Sequence, residues 1–300
     1  AAAAVPGLTR MLEAEDQSIR IEATVALANI GPAARSATPI LLKRLKSAQE
    51  SGRGAAAYAL GKLEAKSAVK DLKFALRDSD QRVRMASAYA LTLLDVEHRG
   101  DLRDVLPVLI ENLDHEMPLI RREMAEAIAL LSNDASGAIP ALVERVSSDK
   151  DPTVRASALH ALTQIAPTDR RGLAVALTAL SDDETAVRRT AAFALGRQGP
   201  LANSAVPGLR LMLRHRDRFD RAIAAWALVR ILPKGDFGQE AIGLLVDAIE
   251  AENPRARVEL AKVLGELGAD PRSRKALEQL RKDTDPQVRA AATSALKSFK

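Results

Sequence analysis

The stretch AAAYAL at 55–60 recurs as ASAYAL at 86–91, SALHAL at 157–162, TAAFAL at 190–195 and IAAWAL at 223–228. Small residues hold constant around one slot, which takes Tyr58, Tyr89, His160, Phe193 and Trp226. Four of the chain's eight Phe, Tyr and Trp residues occupy it. Six residues before the alanine of each closing Ala-Leu, or its equivalent, stands an arginine: Arg20, Arg53, Arg84, Arg121, Arg155, Arg188, Arg221, Arg257 and Arg289. Their spacings lie between 31 and 37 residues along the whole chain. A fixed period of this size marks a tandem array, each unit being one supersecondary element that completes its core against its neighbours.

Each unit reads as two helices. In the third, Val83, Ala86, Ala90, Leu91 and Leu94 fall on one helical stripe. Asp16, Asp80, Asp151, Asp217, Asp285 and Asn253 lie four residues before their arginines and suit N-caps of the second helix. Pro118, Pro152, Pro254 and Pro286 stand at its first position, where a missing N–H costs nothing. The first helix opens with AVPGL at 4–8, ATPIL at 37–41, AIPAL at 138–142 and AVPGL at 205–209. Pro6, Pro39, Pro107, Pro140 and Pro207 thus recur 14 or 15 residues before an arginine. The two longest spacings fall on loops at 95–104 and 233–240.

A proline in helix A, an aspartate in the turn and Val-Arg or Ile-Arg early in helix B resemble the HEAT-repeat family. The short, alanine-rich wording of DPTVRASALHALTQI (151–165) is most similar to the bacterial HEAT-like repeats named after the phycobilisome lyases. The resemblance covers residues 4–300. It implies an all-α fold, a right-handed α-solenoid of about nine two-helix repeats, with approximate boundaries 1–35, 36–66, 67–100, 101–136, 137–169, 170–203, 204–237, 238–271 and 272–300. It also implies a ladder between the turn aspartates and the nine arginines, which makes those arginines structural. Asp78, Asp149, Asp182 and Asp283 match the aspartate position, and the other repeats lack it, so the ladder is expected to be incomplete.

Stepping about 100° per residue from the core stripe puts the slot five after each arginine roughly 130° away, outside that stripe. Its full column is Val25, Tyr58, Tyr89, Glu126, His160, Phe193, Trp226, Lys262 and Ser294. The family resemblance places this column on a concave helix-B face. The column eight after each arginine is nearly all small, so the expected surface is a low floor with an aromatic ridge from the second to the seventh repeat. Arg122, Arg189, Arg197 and Arg230 flank it, with Lys62. Aromatic anchors beside arginines are the material of protein-binding hot spots. The competing reading is that each ring packs across its neighbouring helix.

No residues assemble a catalytic or metal site in this sequence. The four histidines, His98, His115, His160 and His215, are scattered over different repeats. His115-Glu116 resembles one His-Glu motif of deoxyhypusine hydroxylase, which needs four, and Pro118 excludes a helical HExxH reading. DSD (78–80), DKD (149–151), DDE (182–184) and DTD (283–285) are explained as turn caps. Cysteine is absent, which excludes disulfides, thiolate metal sites and thiol nucleophiles. Net charge is +5 with both signs interleaved. The basic run RHRDRFDR (214–221) reads as a solvated turn, with an acidic partner or nucleic acid as the competing reading.

The expected role is therefore a non-catalytic scaffold holding another protein or peptide segment, whose carboxylates or backbone carbonyls the arginines would meet. No cofactor is implied. The alternatives are an accessory subunit of a bilin lyase-like or protein-modification enzyme, and phosphate-backbone binding to nucleic acid, which the mild charge disfavours. The AAAA start without methionine suggests a trimmed start or part of a longer chain or larger assembly. No apolar run is long enough to span a membrane. Cytoplasm is the default location only.

Overall fold

The computed structural model describes residues 2–47, 52–94, 104–232, 237–251, 253–268 and 270–297. Among them all regular structure is helical. Residues 95–103 and 233–236 of the two expected loops, His98 among them, lie outside these residues, while Gly238, Gln239 and Glu240 already belong to a helix, so the second loop ends earlier than its spacing suggests. The chain forms two compact units, Ala1–Ala166 and Pro167–Lys300.

In the first unit the helix pairs are α1 (Val5–Met11) with α2 (Gln17–Ile30), α3 (Thr38–Lys46) with α4 (Arg53–Lys62), and α5 (Val69–Ala75) with α6 (Gln81–Leu94). Then come α7 (Val105–Glu111) with α8 (Pro118–Leu130), and α9 (Ile139–Ser148) with α10 (Pro152–Ile165). The second unit holds α11 (Arg170–Ala179) with α12 (Thr185–Gln198), and α13 (Val206–Met212) with α14 (Arg218–Ile231). It ends with α15 (Gly238–Val246) beside α16 (Pro254–Glu266) and α17 (Pro271–Leu280) beside α18 (Pro286–Lys297). The even-numbered helices are the helix-B positions of the sequence ruler.

All six expected N-caps accept a hydrogen bond from a backbone N–H two residues on, as Asp16 does from Ser18 at 2.7 Å and Asn253 from Arg255 at 2.9 Å. Asp169 and Asp270 do the same for two helices of the A type, α11 and α17. The recurrent arginine then fastens the turn to its own helix. Arg84 Nη1 donates to the carbonyls of Asp78 and Ser79, at 2.9 and 3.1 Å. Arg20, Arg121, Arg155, Arg188, Arg221 and Arg289 repeat this fork on the carbonyls six and five residues back. Arg257 makes the first of the two bonds, to Ala251 at 2.6 Å. One side chain thereby satisfies carbonyls that the tight turn would leave without partners.

The same arginines also reach into the next repeat. Arg53 pairs with Asp78, Arg121 binds Asp149 through two 2.7 Å bonds, and Arg257 binds Asp283 at 2.7 and 2.9 Å. Arg188 reaches Asp220 at 3.4 Å. Asp220 lies immediately before Arg221, inside α14, so this rung is absent from the spacing that reveals the others.

These rungs coincide with the closest helix packing. Helices α4 and α6, α8 and α10, α12 and α14, and α16 and α18 pack extensively, whereas α6 meets α8 over less surface and the other side of α14 meets α15. The close contacts need small residues. A Cβ at Gly61 would lie 2.6 Å from the Cα of Ala90, and one at Gly265 would lie 2.7 Å from the Cβ of Ala295. The repeats are thus coupled in twos: second with third, fourth with fifth, sixth with seventh, eighth with ninth.

Several of these aspartates titrate low. Arg171 holds Asp169 at about 2, Arg257 holds Asp283 below the usual 3.8, and Asp149 is pushed up by burial but held low overall by Arg121 and the Asp151 N–H. A carboxyl depressed by folding adds stability that is present above the unfolded value and lost as pH falls through the folded one. Thermal denaturation against pH is therefore expected to be flat from about pH 7 to 5 and to drop below about pH 4. A drop already complete at pH 5 would exclude the aspartates as its cause.

Candidate functional site

The helix-B slot is more deeply buried than its helical angle suggests. Tyr89 is 8% exposed and Trp226 only 2%, while Tyr58 and Phe193 are half-buried. This corrects the expectation that the whole column lies outside the core stripe. A wheel drawn on one helix omits the neighbouring helix B, which comes close enough here to cover the ring.

The expected ridge resolves into two stacked pairs, one in each unit. Tyr58 lies on Tyr89 with ring centroids 5.4 Å apart and planes 15° apart. Phe193 lies on Trp226 at 5.1 Å and 13°. Each pair bridges a tightly coupled repeat couple, so the rings contribute to the same seams as the arginine rungs. The Trp226 indole N–H is buried and has no hydrogen-bond partner among the described residues, so ring packing, not polar recognition, holds it there. The slot in the fourth and fifth repeats is exposed and polar, with Glu126 accepting from Ser157 Oγ at 3.3 Å and His160 at the surface of α10.

In the first unit this face gathers groups from several helices. Tyr58 Oη on α4 donates to Glu123 Oε1 on α8 at 3.4 Å, beside the stacked Tyr89 ring of α6. A bond that skips one helix shows this face of the unit drawn inward. Lys62 Nζ sits 5.9 Å from the Tyr58 ring centre, and Arg122 pairs with Glu126 at 3.5 Å. Burial raises the carboxyl of Glu123, with Arg122 and Lys62 pulling it down. Burial and the neighbouring Glu123 charge raise the Tyr58 phenol.

In the second unit the flanking arginines have acids of their own. Arg189 binds Asp220 at 2.6 Å and Asp217 at 2.8 Å, and Arg230 binds Glu266 at 2.8 Å while lying 5.9 Å from the Trp226 ring centre. Arg197 is exposed, with no ion pair among the described residues. His215 Nδ1 lies 3.1 Å from buried Asp220, and Arg218 stacks over Phe219 at 4.8 Å. Much of the basic run is therefore engaged locally. No group of three or more His, Asp or Glu able to hold a metal occurs among the described residues. The turn edge of the fourth and fifth repeats carries an open depression of about 640 Å³ lined by Asp114, His115, Arg121, Arg145 and Asp149, of which Arg121 and Asp149 form a ladder rung and Arg145 pairs with Asp114.

A family model of HEAT repeats matches residues 38–129, 106–177 and 206–297. The chain belongs to the HEAT-repeat family. Among curated proteins, a HEAT repeat-containing taxis protein of Halobacterium salinarum is 29% identical over 169 residues. That stretch covers 56% of this chain and 36% of the relative. Among solved structures, an engineered protein aligns at a TM-score of 0.57 and 22% identity, covering 99% of this chain and 91% of its own. The complex of CpcE and CpcF of phycocyanin lyase from Nostoc aligns at 0.48 and 21%, over 88% and 94%. The HEAT architecture accounts for the arginine ruler, the turn aspartates and the helix-A prolines together. None of the described helices is long and apolar enough to cross a membrane.

Proposed function

We propose that this HEAT-repeat chain is a non-catalytic scaffold whose helix-B faces hold a segment of another protein. The observation that carries the reading is the inward-drawn face of the first unit. There Tyr58 stays half-exposed above buried Tyr89, with Lys62, Arg122 and Glu123 around it. A rigid aromatic edge ringed by both charge signs favours a peptide with mixed polar and apolar side chains. In the second unit Phe193 plays the part of Tyr58, and Arg197 supplies a cation for a carboxylate or a backbone carbonyl of the bound segment.

The stacked arrangement separates anchors from supports. Tyr58→Ala and Phe193→Ala are expected to keep most of the fold and weaken a captured partner about tenfold or more in calorimetric titration. Tyr89→Ala and Trp226→Ala should instead lower the melting temperature. Unchanged affinity in both anchor variants, with unchanged melting, would return the aromatic pairs to packing alone. A steep loss of binding with added salt would favour a nucleic-acid phosphate backbone over a protein segment.

A further inference from the structure

The helix-A side of the array carries one pattern twice, four repeats apart. Ten residues before the arginine, Phe74 on α5 is 85% exposed and Leu211 on α13 is 63% exposed, whereas Leu72, Ala75, Leu209 and Met212 beside them are buried. A basic residue stands just before each, Lys73 and Arg210, and another stands three residues after, Arg77 and Arg214. Exposed apolar side chains are ordinary when scattered singly. These two share a register and their flanking charges, and no other repeat has that combination.

The next repeat answers each basic ridge with acids, ten and seven residues before its own arginine. Glu111 and Asp114 take those positions in the fourth repeat, and Asp247 and Glu250 take them in the eighth. All four are exposed. Arg77 comes within 3.9 Å of Asp104, just before α7, and Arg218, in the repeat of α13, within 3.6 Å of Glu250. Basic and acidic ridges therefore lie side by side in each unit. Yet α5 hardly touches α7, and α13 hardly touches α15. Among the described residues, Glu111, Asp247, Arg210 and Arg214 form no ion pair.

We propose that these strips are where two copies of this chain pair. A positive ridge beside a negative one is its own complement. Turned over about a two-fold axis parallel to the helices, the Arg77 ridge of one copy comes opposite the Glu111 ridge of the other, and the reverse. Phe74 or Leu211 supplies the apolar centre of the contact. An anionic lipid surface or a nucleic acid fits poorly, because the four carboxylates would repel it. A flanking segment of the same chain could cover one strip only, and both strips lie within the array, not at an end of it. An unrelated partner would have to reproduce the paired ridges that a second copy already carries. A strip of this size makes a weak, reversible contact.

Sedimentation of the full chain should show association that grows from about 10 µM to about 1 mM protein and weakens with added salt. Phe74→Asp with Leu211→Asp is expected to weaken it about tenfold or more. Melting should stay nearly unchanged, because both side chains are already in water. Charge exchange supplies the stricter arm. Arg77→Glu with Arg214→Glu, and separately Glu111→Lys with Asp247→Lys, should each abolish pairing of that variant with itself. An equimolar mixture of the two should associate at least as tightly as the parent. A parent chain that stays monomeric up to about 1 mM overturns the proposal. So does association that survives the Phe74 and Leu211 substitutions, or a mixture that stays monomeric although each variant melts as the parent does.

Discussion

Replacing Arg121 by alanine is expected to destabilise the first unit by about 3–5 kcal/mol, the cost of leaving one partner of a buried ion pair behind. The Arg121 and Asp149 side chains are 12% and 1% exposed, so water cannot replace what is lost. Asp149 would keep only the Asp151 N–H at 3.0 Å and a distant Arg145 at 3.9 Å. The carbonyls of His115 and Glu116 would lose their donor at the same time. Lysine should not rescue the variant, because an ammonium cannot fork between a carboxylate and two carbonyls. Removing Asp149 as well should recover part of the loss, since the uncompensated charge goes with it. Arg84→Ala supplies the contrast. It fastens its own turn, but the equivalent acid position in the next repeat is His115, so about 1–2 kcal/mol is expected. Urea denaturation followed by circular dichroism separates the cases. A loss under about 1 kcal/mol for Arg121→Ala would mean the rung behaves as an exposed pair.

The ruler and the caps were legible because they are local. An N-cap aspartate and a first-position proline act within one turn of helix, and each sits where the spacing put it. The rungs at Asp78, Asp149 and Asp283 were legible for the same reason, through a turn position that recurs. Asp220 was not, because it does the same work from inside a helix and only the fold brings it to Arg188. The burial of Tyr89 and Trp226 was not legible either, since it depends on how near the adjacent helix B comes. The signal for that approach did lie in the sequence. The column eight after each arginine reads as nearly all small, but after Ala28 it alternates, with Gly61, Ala129, Gly196 and Gly265 between Thr92, Thr163, Val229 and Lys297. Seam by seam, that alternation separates the tight couples from the looser joints within each unit.

The sharpest consequence of the coupling is a substitution whose sign depends on where it is made. Glycine to alanine in a helix ordinarily adds up to about 1 kcal/mol, by restricting the unfolded chain and raising helix propensity. At Gly7, in α1, an added Cβ meets nothing within 4 Å, so Gly7→Ala should be stabilising or neutral. At Gly196 the same Cβ would stand 2.2 Å from Cζ3 and 2.8 Å from Cε3 of Trp226, and 3.0 Å from the Cα of Ala227. The indole cannot retreat. It is rigid, 2% exposed and stacked on Phe193, so relief requires α12 and α14 to move apart. Such overpacking is expected to cost about 3 kcal/mol. In a repeat array the loss should appear at the seam between the sixth and seventh repeats, because stability there is largely a nearest-neighbour quantity. Hydrogen exchange in α12 and α14 should accelerate, with that in α17 and α18 unchanged. If the tight couple is what the glycine serves, Trp226→Ala should remove most of the difference between glycine and alanine at 196. A penalty undiminished in that background would put the strain in the α12 backbone instead of the indole.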